Sequence, residues 1–270
     1  MITEVFNRCE MKCLLPEETF SRLGQELFPK LQKDIYGDSD GNYTISNLYF
    51  DTPEFEAYDQ NVWHTPFRQK LRVRVYDNAL PDSPAFVEIK KKFKGAGNKR
   101  RTQMRLSDAY AFLDVDGTRG GACSERLEAY ENSNPQVLRE IAFFKDHQKL
   151  VPRMIVSYDR QAYTGIDEPE LRITFDRNIR ARGSDLCLTH GNYGRLLMPA
   201  NHLILMEIKS LYNVPLWLSH MLCRYGIRAT KFSKYTKCIA AGLYLADKQQ
   251  ADDMIERSNS LEPVMINAKG

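Results

Sequence analysis

Much is missing from these 270 residues, and each gap closes off a class of protein. No stretch approaches the eighteen or so consecutive apolar residues that a membrane helix needs. The longest candidate, residues 238–246, is about half that length. The beginning, MITEVFNRCE, has no basic segment followed by an apolar run, so no secretory leader is read there and a cytoplasmic protein is expected. Six cysteines (Cys9, Cys13, Cys123, Cys187, Cys223 and Cys238) include no CxxC pair and are too sparse for a disulfide framework in a chain this long. Five histidines supply no HExxH spacing, which disfavours a zinc centre. There is no low-complexity segment and no Pro/Gly/Ser linker, so residues 1–247 read as one domain followed by a polar tail at 248–270. Charge of one sign is also scarce: 38 basic against 35 acidic residues leaves a net +3, which argues against a protein that coats nucleic acid.

What is present is a 43% apolar fraction, enough for a real core, arranged in alternating helical and strand-like patterns. Residues 16–34 place Phe20, Leu23, Leu27 and Leu31 on one helical face behind Pro16 and two glutamates. Asn134 is a natural N-cap, with Pro135 at the first helical position and Val137, Leu138, Ile141 and Phe144 following at helical spacing. Residues 215–225 read as a third helix closed by Gly226. Residues 233–246 read as a fourth, capped by Ser233.

The strands are more telling. In RCEMKCL (8–14), Arg8, Glu10 and Lys12 share one face. In KLRVRVY (70–76), Lys70, Arg72 and Arg74 oppose Leu71, Val73 and Val75. FVEIK (86–90) and LMEIK (205–209) repeat the E-x-K of Glu10 and Lys12 as Glu88–Lys90 and Glu207–Lys209. In IVSYDR (155–160), Tyr158 and Arg160 have one parity. Through 171–182, one face reads Arg172, Thr174, Asp176, Asn178, Arg180, Arg182. Like charges on neighbouring strands destabilise a sheet unless an anion lies between them. A closed barrel resolves the pattern, its polar face lining a lumen and its apolar face covered by helices. The fold class expected is α+β: an eight-stranded antiparallel β-barrel tunnel with helices packed on the outside.

Sorted this way, nine cations (Lys12, Arg72, Arg74, Lys90, Arg101, Arg160, Arg172, Lys231, Lys234) and three carboxylates (Glu10, Glu88, Glu207) face inward. Such an excess of buried positive charge costs many kcal/mol without a partner. Phosphates offset it, since arginine forks match phosphate oxygens and lysine supplies point charge. The carboxylates suggest Mg²⁺ or Mn²⁺ between themselves and the phosphates. Ser233, as the cap of the last helix, adds free N–H groups aimed at an anion.

The motifs YFDT (49–52), KLRVR (70–74), FVEIKKK (86–92), KRR (99–101), SYDR (157–160), LRITFD (171–176), MEIK (206–209) and FSKY (232–235), in this order, resemble the vacuolar transporter chaperone (VTC) domain. That domain is a branch of the triphosphate tunnel metalloenzymes, or CYTH-like superfamily. The resemblance spans roughly residues 5–245. It implies that Lys12, Arg72, Arg74, Lys90, Arg160, Arg172 and Lys234 are catalytic cations and bind phosphate, together with Lys231, Tyr158 and Ser233. It implies metal binding by Glu207, with Glu10 and Glu88 beside it. One of Lys99, Arg100 and Arg101 belongs to the same set, and Arg101 is our choice. The activity implied is polyphosphate polymerase, transferring the γ-phosphate of ATP or another NTP to a growing chain.

One departure bears on that activity. Tunnel triphosphatases typically open with ExExK, whereas this chain has Arg8 at the first glutamate position. Hydrolysis needs a group to orient or deprotonate water, and a lost carboxylate weakens that case. A terminal phosphate is already largely ionised at neutral pH and needs no base. The alternatives are a tunnel triphosphatase acting on tripolyphosphate or NTP, and a non-catalytic polyphosphate-binding module. Nucleic acid is not an expected partner, because the lumen-facing positions carry charge rather than the stacking aromatics of a single-strand binder. The eukaryotic SPX and membrane domains of the family are not seen in this chain, so a membrane-protein partner is the expected route to any membrane.

Overall fold

The computed structural model describes residues 9–94, 96–127, 130–198, 203–211 and 213–245. Arg8 and the expected tail at 248–270 lie outside them. In chain order the elements are β1 (Cys9–Leu15), α1 (Glu17–Leu27), β2 (Leu31–Lys33), β3 (Asn42–Asp51), α2 (Glu56–Val62), β4 (Phe67–Tyr76), β5 (Pro84–Phe93), β6 (Ala96–Arg105), α3 (Leu106–Leu113), α4 (Pro135–His147), β7 (Val151–Gly165), β8 (Arg172–Arg182), β9 (Arg195–Leu196), β10 (Ile204–Ser210), α5 (Leu216–Arg224) and α6 (Lys234–Ala240).

Eight strands form one antiparallel sheet in the order β1-β10-β8-β7-β3-β4-β5-β6, with the short β2 and β9 added to β7 and β8. The sheet is strongly curled. In a flat sheet, β1 and β5 would stand about 29 Å apart, six spacings of about 4.8 Å. Instead Lys90 of β5 reaches to 3.7 Å from Glu10 of β1. Backbone pairing does not join β6 to β1 among the described residues, so side chains span the last gap.

Parity along each strand then sorts the side chains. On the convex side, Leu71, Val73, Val75, Val87 and Ile89 pack under α3 and α4. Cys13, Leu15, Ile173, Met206 and Ile208 pack under α1 and α5. The concave side carries the charges. α6 lies on that side, for Tyr235, Cys238 and Ile239 pack inside the curl against Tyr49, Tyr158 and Leu205.

Three sequence expectations change. The helix expected over 16–34 ends at Leu27, passes through a single 3-10 turn (Phe28–Lys30) and becomes β2. Pro29 has no N–H to continue the ladder, which is sufficient reason. The last helix ends at Ala240 rather than running to 246, where Gly242 takes φ 64°, a turn that glycine adopts without strain. The face read continuously from Arg172 to Arg182 is broken by a bulge, with β7–β8 register slipping between Ser157 and Asp159 and Asn178 at φ 49°. A bulge inserts one residue and flips the parity beyond it. Ile179 and Ala181 therefore enter the concave cluster, whereas Arg180 and Arg182 leave the lumen and bind the carbonyls of Asn192 and Asp185.

The other helix starts hold. Asn134 accepts from the N–H groups of Gln136 and Val137, and Ser233 accepts from that of Thr236. All six cysteines are free. Among the described residues, no helix is long and apolar enough to cross a membrane.

Candidate functional site

The E-x-K strands explain how the charges meet. β1 and β10 run antiparallel, so Glu10 stands opposite Lys209, and Lys12 opposite Glu207. The same motif on β5 has no antiparallel copy beside it. Its Glu88 lies between Arg72 of β4 and Arg101 of β6, and its Lys90 between Lys70 and Lys99. The lumen thus has one wall with cross-strand neutralisation and one wall with rows of like charge.

On the first wall the charges converge around Glu207. Its carboxylate lies 3.0 Å from Lys234 Nζ, 3.5 Å from Lys12, 3.7 Å from Arg160 and 3.9 Å from Lys209. Asp176, fully buried on β8, receives a bidentate pair from Arg160 at 2.6 and 2.8 Å and a contact from Lys234 at 2.5 Å. Burial opposes ionisation of both carboxyls, but Lys234 and its neighbours overcome it and hold them below the usual carboxylate range. Burial likewise opposes the charge on Lys234, and the two carboxylates raise its pKa instead. Lys12 also donates to the Phe232 carbonyl at 3.0 Å, which ties β1 to the segment entering α6.

On the opposite wall, Arg72 holds Glu88 through Nε at 2.7 Å and donates to the Tyr49 hydroxyl at 3.1 Å. Lys99 approaches the other Glu88 oxygen at 2.6 Å. Burial would raise the pKa of Glu88, but Arg72, Arg74 and Lys99 keep it at about 2. Among the described residues Arg74 has no carboxylate within ion-pair distance, and it donates to Asn47 at 2.9 Å and to the Tyr158 hydroxyl at 3.4 Å. Lys70 likewise has none among the described residues, and gives its protons to the Ser233 and Thr236 hydroxyls at 3.1 and 3.3 Å. Its burial and the nearby Lys90 and Lys12 outweigh Asp51 and bring its pKa down to about 7.

Each expected residue can now be placed. Lys12, Arg72, Arg74, Lys90, Tyr158, Arg160, Ser233 and Lys234 are brought together around the lumen, with Tyr158 lying 4.4 Å beneath Lys234. Arg172 is on the lumen face near the mouth, exposed and paired with Asp34 at 2.6 Å. Lys231 is exposed at the mouth, 3.3 Å from His64. Of the three basics at 99–101, Lys99 and Arg101 share the lumen face with Glu88, and Arg101 lies over Phe86 at 4.9 Å. Arg100 has the other parity and pairs with Glu140 of α4.

The carboxylates separate into two groups. Glu10 and Glu207 both approach Lys12 Nζ, at 3.6 and 3.5 Å, so two hard oxygen donors converge on one position already suited to a cation. Mg²⁺ or Mn²⁺ held by one or two carboxylates plus substrate phosphates needs no larger protein donor set. Glu88 stands apart from that group on β5, with its Oε2 bound by Arg72 and its Oε1 2.6 Å from Lys99. No set of three His, Cys, Asp or Glu side chains forms a complete protein cage among the described residues.

Asp176, Lys70 and Lys209 carry no role in the sequence reading, and Lys99 is only one of three alternatives at 99–101. The parity of LRITFD was the available signal for Asp176, and that of KLRVR for Lys70. YFDT turns out to organise the scaffold. Asp51 accepts from the Thr52 and Ala57 N–H groups and from the Tyr235 hydroxyl, fastening α2 and α6 to the end of β3.

A curled antiparallel sheet with a basic concave face and a helix seated inside it defines a tunnel protein. The family profile described as VTC domain matches residues 7–243, and the chain belongs to the VTC domain family. No curated protein matches it. Among solved structures it is similar to HpAC1 of Hippeastrum, a putative adenylyl cyclase with a dominant triphosphatase activity, at 17% identity and a TM-score of 0.52, covering 88% of this chain and 97% of that one. A putative adenylate cyclase of Bacillus halodurans is similar at 16% identity and TM-score 0.48, covering 83% and 92%. Likeness at these identities concerns the fold.

Proposed function

We propose that this protein is a polyphosphate polymerase: the bond from the NTP γ-phosphorus to its bridging oxygen breaks, and a terminal oxygen of polyphosphate takes its place, releasing NDP. One observation carries the choice. Four carboxylates of the lumen, Glu10, Glu88, Asp176 and Glu207, each have at least two cations as ion-pair partners. All four have their pKa values lowered against the effect of burial, which makes them poor acceptors of a proton from water. A phosphate nucleophile, with its last pKa near about 6, needs no such acceptor.

The residues then divide the work. Arg72, Arg74, Lys90, Arg160, Arg172 and Lys234 bind and align phosphates, with Lys12, Arg101, Lys231, Tyr158 and Ser233 completing the lining. Catalysis is alignment and charge neutralisation along an in-line path. Glu207 and Glu10 would hold Mg²⁺ or Mn²⁺, which would neutralise charge on the phosphates when bound. The triphosphatase activity of the Hippeastrum protein is consistent with triphosphates entering a tunnel of this fold.

Incubating the protein with ATP and Mn²⁺, then resolving products by gel and by phosphate release, tests this reading. Chains with ADP are expected. Orthophosphate without chains would instead identify a hydrolase, and tripolyphosphate binding without turnover a binding module. Glu207→Gln should lower turnover about 100-fold or more while tripolyphosphate binding stays measurable; full activity would rule Glu207 out as a metal ligand.

A further inference from the structure

The rows of like charge extend beyond the lining described so far. Counting outward along β4 and β5, the cross-strand rows are Arg72 with Glu88, then Lys70 with Lys90, then Arg68 with Lys92. Each row is two residues further out, about 6.7 Å at the usual rise per strand residue. Exposure rises in the same direction, from 1% for the side chain of Glu88 to 55% for that of Lys90, and Lys92 is exposed.

The last row differs from the inner ones. Arg68 and Lys92 stand directly opposite each other and neither has a carboxylate within ion-pair distance among the described residues. Like charges so placed destabilise a sheet unless something offsets them. The third position of the row, on β6, is Gly97. Nothing lies within 4 Å of where a side chain there would begin, so the lumen is open beside the two cations. Across the mouth, His64 adopts φ 53° and lies between Arg68 and Lys231, at 3.5 and 3.3 Å. With its Nδ1 proton given to the Asn61 carbonyl at 2.8 Å, its Nε2 accepts from Lys231. A left-handed backbone at a non-glycine residue is strained, and such strain persists where surrounding contacts hold it.

We propose that Arg68 and Lys92 form an outer subsite for polyphosphate, binding phosphates of a chain that already fills the inner lining and passes out beside Gly97. The inference rests on the polyphosphate reading of the lumen and adds a length requirement to it. A triphosphate occupies the inner rows alone. Only a longer chain reaches the outer one, so affinity rises with chain length.

The test compares tripolyphosphate with polyphosphate of several tens of phosphates, by calorimetry at fixed ionic strength. The wild type should bind the long chain more tightly per chain. Arg68→Ala combined with Lys92→Ala should weaken long-chain binding about tenfold or more, the loss expected for one or two charge-assisted contacts. Tripolyphosphate affinity should change less than about twofold by the same reasoning, since no contact to it is removed. Arg68→Glu with Lys92→Glu should weaken the long chain further still. Equal losses for both ligands, or no loss for the long chain, would overturn the subsite. Failure of the wild type to bind either ligand would overturn the polyphosphate reading itself.

Discussion

Glu207 and Asp176 share Lys234 and Arg160 in a buried cluster of two carboxylates and two cations. Removing one member leaves the others uncompensated in a place where water cannot replace it. Asp176→Ala should therefore cost about 3–5 kcal/mol, the usual penalty for breaking a buried ion pair. Urea unfolding measures it, and a loss below about 1 kcal/mol, the scale of an exposed pair, would show the cluster to be solvated. Glu207 was legible in the sequence through its E-x-K motif, whereas for Asp176 parity gave the face but not the partners. Its partners are 16 and 58 residues away, and only the β7–β8 register and the fold-back of α6 bring them within reach. Glu88 shows the opposite limitation. Its motif is the same as that of Glu207, yet the neighbouring strand supplies Arg72 in place of a second E-x-K, and one of its oxygens is held there.

At the scale of elements, alternation along β4 and β5 revealed the lumen face, because the side-chain period of a strand is two. The same rule failed in β8, since a bulge at Asn178 has no unambiguous signature in a run of alternating residues. The position of α6 was also hidden: its amphipathic pattern says that one face is covered, but not whether from inside or outside the curl. That inside position brings Ser233 and Thr236 against Lys70, where hydroxyls rather than carboxylates meet the ammonium. With its pKa at about 7 instead of 10.5, folded Lys70 has given up a proton that the unfolded chain keeps between those pH values. Stability contributed at this site rises with pH across that window, and the cost is full below it. A bound phosphate favours the charged form and draws the proton back. Tripolyphosphate binding at pH 8 should therefore take up a fraction of a proton, and affinity should fall as pH rises above 7. Calorimetry in buffers of different ionisation enthalpy measures the uptake. Lys70→Met should abolish that share, and unchanged uptake would assign it to another group.

For the whole molecule, a net charge of +3 conceals a basic lumen and a mildly acidic remainder. Repulsion among the lumen cations is a cost carried by the folded state, so a ligand that relieves it should stabilise the fold measurably. Ligand at about 100 times its dissociation constant contributes about 2.7 kcal/mol. For a chain of this size that corresponds to a Tm increase of roughly 5–10 °C. Tripolyphosphate should produce it and equivalent chloride should not, as scanning fluorimetry would show. A rise of similar size with chloride would point to general screening.

The inside helix also imposes an order in time. Lys234 comes late in the chain, yet it stands between Asp176 and Glu207 and offsets both. A ribosome that has released the whole sheet has still not released the charge that balances its centre. Until α6 is seated, Asp176 has Arg160 and Glu207 has Lys12, Arg160 and Lys209, but neither has Lys234, and Ser233 is not yet beside Lys70. The lumen is thus finished by the last element described, and a nascent chain holds no completed site to fill with anion until α6 has emerged and seated.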